Sequence, residues 1–138
     1  MNGGILTMSE AVFEKVFTRE VLSRLFPEDR ADGFFESLFG DPNEGAYNIH
    51  LAYKGSTGNK LHFEFRLTQR PGRCLACNLT YGLPQVFSKH PVIGIPALVE
   101  AMNRELGGTA TCKDWELGST QEISGDLHAI PLTVYIEN

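Results

Sequence analysis

Two runs of alternating residues constrain this fold more than anything else in the chain. In YNIHLAYK, Tyr47, Ile49, Leu51 and Tyr53 fall on one side of an extended backbone, and Asn48, His50, Ala52 and Lys54 fall on the other. KLHFEFRLT repeats the pattern, with Leu61, Phe63, Phe65 and Leu67 against Lys60, His62, Glu64, Arg66 and Thr68. Successive side chains of a strand point to opposite faces, so a period of two marks strands with one face buried. GSTGN between them carries two glycines and predicts a five-residue turn closing a hairpin. Such a hairpin needs apolar material laid on one face only.

The first forty residues supply it. Val12, Val16, Val21, Leu22 and Leu25 recur at helical spacing, Ser9 is a candidate N-cap, and Pro27 ends the pattern. Thr18 can cap a second short helix, which predicts a kink there. Asp32 is the expected cap of the next helix, whose face is Phe34, Phe35, Leu38 and Phe39 and whose stop is Gly40 with Pro42. After the hairpin, LACNLTYGL alternates and predicts a third strand. PQVFSKHPVIGIP, with three prolines in thirteen residues, reads as a loop. GIPALVEAMNRELGG is a helix with Pro96 in its first turn and Gly107 as its stop. TATCKDWEL is a further strand, GSTQEISGD a turn-rich loop, and LHAIPLTVYIE the last strand. Pro131 has no N–H to donate, so that strand is expected at an edge or with a bulge. The predicted architecture is a single α+β domain over residues 1–138. It has an antiparallel sheet of about five strands with helices on one face, in the order α-α-β-β-β-α-β-β.

At 138 residues, 42% hydrophobic and with nine Phe, the chain can fill one core without disulfides. Its net charge of −5 argues against nonspecific nucleic-acid binding, which depends on neutralising phosphates. The charge is uneven: residues 1–50 carry net −5, residues 51–100 net +4 and residues 101–138 net −4. No apolar run reaches the roughly 20 residues of a membrane helix. The N-terminal MNGGILTMSEAVF has no basic region ahead of its short apolar stretch and does not resemble a secretory signal; Met1 or Met8 can serve as the start. Three cysteines are an odd count for a disulfide framework, so the expected compartment is the reducing cytoplasm.

The basic middle third holds most of the candidate chemistry. Cys74 and Cys77 form a Cys-x-x-Cys pair, a metal or redox candidate. The alternation after Cys77 splits the pair onto opposite faces of a strand, unless the turn RPGR continues past Cys74. Arg66, Arg70, Arg73, Lys89 and His90 are candidate ligand-binding residues, since guanidinium groups suit carboxylates and phosphates. The alternative is that these charges solvate the open sheet face or face an acidic second subunit. His50, His62 and Glu64 share the polar side of the hairpin, either as a metal- or proton-handling group or as a solvated cross-strand set. No phosphate-binding loop, dinucleotide fingerprint, nucleophile elbow or H-E-x-x-H occurs in the chain.

LFPEDRADGFFESLFGDPNEGAYNI together with QRPGRCLACNLTYGLPQVFSKHPVI resembles a small family of uncharacterised bacterial proteins, some labelled pancreas/duodenum homeobox. The resemblance covers residues 18 to 93, implies no activity and carries over no catalytic residue. The homeobox label does not fit, because a homeodomain is a three-helix unit with a basic recognition helix and arm. A looser resemblance, at the level of fold, is to secretion-chaperone α+β dimers, whose final helix is missing here. The leading expectation is a non-catalytic cytoplasmic binding domain, chaperone- or adaptor-like, that forms a homodimer and holds a protein or peptide on its sheet or helix surface. It implies no cofactor, nucleic acid or membrane. The alternatives are an anion-binding module or enzyme centred on Arg66, Arg70, Arg73 and His90, and a thiol or zinc protein using Cys74 and Cys77.

Overall fold

The computed structural model of the chain describes residues 11–73 and 82–137. Helix α1 covers residues 11–16 and α2 spans Arg19–Leu25. Thr18 separates them as its sequence context predicts. Its Oγ1 accepts a hydrogen bond from the Val21 N–H at 3.2 Å, satisfying one of the donors that a helix start leaves open. Helix α3 spans Asp29–Phe39 and begins three residues before the expected cap, which puts Asp32 inside its first turn. Gly40 ends α3 at φ 79, a left-handed conformation that glycine adopts without strain.

Strands β1 (Tyr47–Thr57) and β2 (Lys60–Gln69) form the expected hairpin, longer than the alternation suggested. The turn shrinks to Gly58 and Asn59, with Gly58 at φ 59. The register slips between Tyr53 and Gly55, so Lys54 is an extra, bulged residue. The bulge lets GST join the strand while Tyr53 and the residues before it keep their faces.

The proline-rich stretch contains helix α4 (Leu83–Lys89), followed by α5 (Ile95–Leu106). A loop was the expectation for 84–96. The prolines instead punctuate two helices: Pro84 and Pro96 occupy first turns, where no intrahelical N–H is needed, and Pro91 follows the α4 cap His90. Strands β3 (Thr111–Leu117), β4 (Gln121–Ser124) and β5 (Leu127–Glu137) complete the sheet. β4 lies in the expected GSTQEISGD loop and is exposed throughout, so it has no apolar face to announce it. The strand expected from LACNLTYGL lies outside the described residues through Tyr81.

The sheet is antiparallel with order β1-β2-β5-β3, and β4 also pairs with β5. β5 is therefore central, not an edge. Pro131 is tolerated there because its outer neighbour changes at that point: β3 pairs as far as Leu132, β4 begins at Ala129, and the Pro131 carbonyl accepts from the Gly118 N–H at 2.8 Å. The missing donor falls in the handover between two partner strands.

Among the described residues, helices cover one sheet face only. Ile49, Leu61, Phe63, Phe65, Leu67, Ile130, Leu132 and Val134 are buried there against Phe17, Phe26, Phe34, Phe87 and Met102. Edge-to-face rings join the layers, Phe17 on Phe63 at 5.1 Å and Phe26 on Phe65 at 5.3 Å between centroids. Two of the outer strands carry a bulge with an exposed lysine, Lys54 on β1 and Lys113 on β3, while the bulge of β4 carries the exposed Ile123. Bulges and lysines blunt a sheet edge against pairing with another strand. No helix among the described residues is long and apolar enough to cross a membrane.

Candidate functional site

The basic residues singled out from the sequence are distributed over separate places. Arg66 lies on the uncovered sheet face opposite His50 and sits 3.5 Å from Glu64, which also faces Lys54 at 3.9 Å. His62, on the same face, is hydrogen-bonded to Thr57 at 3.1 Å. These residues form a cross-strand polar set. Among the described residues, no three His, Cys, Asp or Glu side chains are grouped as a metal site.

Arg70 and Arg73 leave the end of β2 together. The Arg70 guanidinium donates to Asn48 Oδ1 at 3.0 Å, the Pro42 carbonyl at 2.8 Å and Asp32 Oδ1 at 2.7 Å. It also lies over the Phe35 ring, 5.3 Å from its centroid. Arg73 donates to the Asn43 carbonyl at 2.5 Å. These bonds tie the residues after α3 to the hairpin and engage all three nitrogens of the Arg70 guanidinium, while Arg73 remains exposed. Lys89 and His90 line a different depression beside Pro91. His90 Nδ1 accepts from the Val92 N–H at 3.2 Å, and its Nε2 is 3.3 Å from Ser37 Oγ. Cys74 and Cys77 lie outside the described residues.

Cys112 is buried on β3. Its backbone N–H donates to Asn103 Oδ1 at 2.5 Å, joining β3 to α5. Burial pushes its thiol up to about 11. The protonated thiol is thus favoured in the native state, and this contribution to stability is present below the ordinary thiol range and lost as pH rises through about 11. In a Cys74→Ser/Cys77→Ser background at pH ~8, near the free-thiol pKa, Ellman's reagent should modify Cys112 only as fast as the chain unfolds. Immediate labelling of the native protein would show the thiol to be open.

A larger cleft than the one at His90 lies between α2, the start of α3 and α5. Its volume is about 710 Å³, within the range of small-ligand sites. Ala97, Leu98, Ala101, Arg104 and Glu105 reach it from α5, at spacings that place them on one helix face. Arg24 comes from α2, and its guanidinium pairs with the Glu105 carboxylate across the cleft. Arg30 comes from α3. Its Nη1 donates to the Val92 carbonyl at 3.2 Å, and its guanidinium rests 5.5 Å from the Phe26 centroid. Arg104 is exposed in the last turn of α5 and makes no ion pair among the described residues.

Three arginines less one glutamate give this cleft a local charge of +2 in a chain of net charge −5. Comparison with family models, curated proteins and solved structures returns no match.

The sequence offered little signal for this site. Arg24, Arg30 and Arg104 stand far apart in the chain, the first two in its most acidic third and the last in another acidic segment. Charge counted along the sequence points to the middle third. Charge counted in space points to the cleft, because α2 and α5 pack side by side.

Proposed function

We propose that this chain is a non-catalytic binding domain that holds an anionic ligand in the cleft between α2 and α5. The observation that carries this reading is the local charge of +2 on a concavity of mixed apolar and charged lining within an acidic protein. A field of that sign concentrates anions on a chain whose net charge repels them. The charged groups suit binding better than proton transfer. Guanidinium groups stay protonated at any physiological pH, and the one carboxylate is engaged by Arg24. Arg30 and Arg24 are already held in place, so less side-chain freedom is lost when a ligand arrives.

The test is thermal unfolding at low ionic strength with citrate or inorganic phosphate. A ligand at 100 times its Kd adds about 2.7 kcal/mol to stability, which appears as a rise of several degrees in Tm. The rise should vanish in Arg104→Glu, which keeps the helix but inverts one pole of the cleft. It should also shrink with added salt, which screens exposed charges. Absence of any shift at millimolar anion, or a shift that Arg104→Glu leaves intact, contradicts the assignment.

A further inference from the structure

Resting on that assignment of the cleft, we infer that its occupant is a short acidic segment of a partner protein, with carboxylates at both ends and apolar side chains between. The positive charge is divided between two poles. Arg30 stands near the start of α5, where it bonds the Val92 carbonyl. Arg104 stands in the last turn of the same helix. From Gly94 to Arg104 the helix rises about 15 Å. A compact anion such as phosphate reaches one pole only, and the exposed Arg104, without an ion pair among the described residues, is the open one.

The wall between the poles is apolar. Leu25, Ala97 and Ala101 give it surface over the buried Leu98, and the two alanines, one turn apart, leave room for another molecule's side chains. An extended segment of five residues spans about 13 Å between its first and last Cα atoms. Its terminal carboxylates then reach both poles while the middle residues lie on the alanines. The pattern of charged ends about an apolar centre matches a peptide better than a nucleotide, whose charge is gathered on its phosphates. A protein segment also suits the exposure of Arg104, since a partner surface can approach it from solvent.

The decisive measurement is fluorescence anisotropy of the full chain with a labelled peptide, Asp-Glu-Leu-Ala-Leu-Glu-Asp, capped at both ends, at low ionic strength. Expected is saturable binding, weakened tenfold or more by Arg104→Glu and by Ala97→Phe. Ala97 and Arg104 are both exposed, so neither change empties the core. A peptide with serines in place of the three central residues should bind at least tenfold more weakly. If citrate binds in an Arg104-dependent manner and the peptide does not, the protein-segment inference fails while the anion site stands. If the serine peptide binds equally well, charge alone is read and the inference also fails. If neither citrate nor peptide binds, or if peptide binding ignores Arg104→Glu and Ala97→Phe, both assignments fail.

Discussion

Phe34→Ala is expected to lower the unfolding free energy by about 3–5 kcal/mol, the range for truncating a fully buried aromatic. Phe34 has no exposed surface, and its ring meets Phe35 at 5.4 Å, Phe87 at 5.4 Å and His90 at 4.9 Å. Those contacts do more than fill space. Helix α4 has seven residues, too few to be stable alone. Phe87 is its one buried residue, and Phe34 and Phe65 are the rings that hold it. Removing Phe34 therefore leaves a cavity and also weakens the anchorage of α4 and His90, and with them residues 91–94 on the wall of the cleft. Urea unfolding should show a large drop in midpoint. Amide exchange should quicken more in α4 than in β2 or β5. Phe39→Ala is the control: Phe39 is 60% exposed and stacks only on Phe35 among the described rings, so a loss below about 1 kcal/mol is expected. Equal losses from the two substitutions would mean that Phe34 is not the hub described.

The parts of this fold that were legible in the sequence are those whose signal is local. Leu61 to Leu67 alternate because one sheet face is covered and the other is not, and that pattern survives without knowledge of any neighbour. Thr18, Gly40 and Gly107 mark helix boundaries through their own backbone or side-chain chemistry. Helix α4 was hidden because a proline in a first turn and a proline in a loop look alike until the hydrogen bonds are known. β4 was hidden for the opposite reason, since a strand paired on an exposed margin needs no apolar alternation. Pro131 shows the limit of a sound rule. A central strand excludes proline only where a partner acceptor waits for its N–H, and here the partner changes from β3 to β4.

The candidate site was less legible because charge is a property of space before it is one of sequence. Arg66, Arg70, Arg73, Lys89 and His90 cluster in the chain, yet the hairpin and α4 carry them to different surfaces. Arg24, Arg30 and Arg104 are scattered in the chain, yet helix packing gathers them about one cleft. Only Arg30 gives a hint, through its place beside Phe26, and that hint concerns packing as much as binding.

Arg70→Ala is expected to cost about 2–3 kcal/mol, and the cause can be separated from a loss of ligand binding. The Arg70 side chain is 16% exposed, and its partners differ in what they lose. Asp32 is 58% exposed, so water replaces the guanidinium there and the ion pair itself contributes under about 1 kcal/mol. The Pro42 carbonyl and Asn48 Oδ1 lie in part-buried contacts, where a lost donor leaves an acceptor less well satisfied at about 1 kcal/mol or more each. The face of Phe35 also loses its cover. Arg70→Lys should recover less than half of the loss, since one ammonium cannot reach three acceptors set for a planar fork. Asp32→Asn should be the mildest of the three. Denaturation of the three variants in one buffer gives the order directly, and peptide binding to the distant cleft should be unchanged in each folded variant. A ligand-binding arginine on an open surface predicts a different result, a change within about 0.5 kcal/mol. Native-like stability of Arg70→Ala would thus remove the structural role and return Arg70 to the candidates for ligand binding.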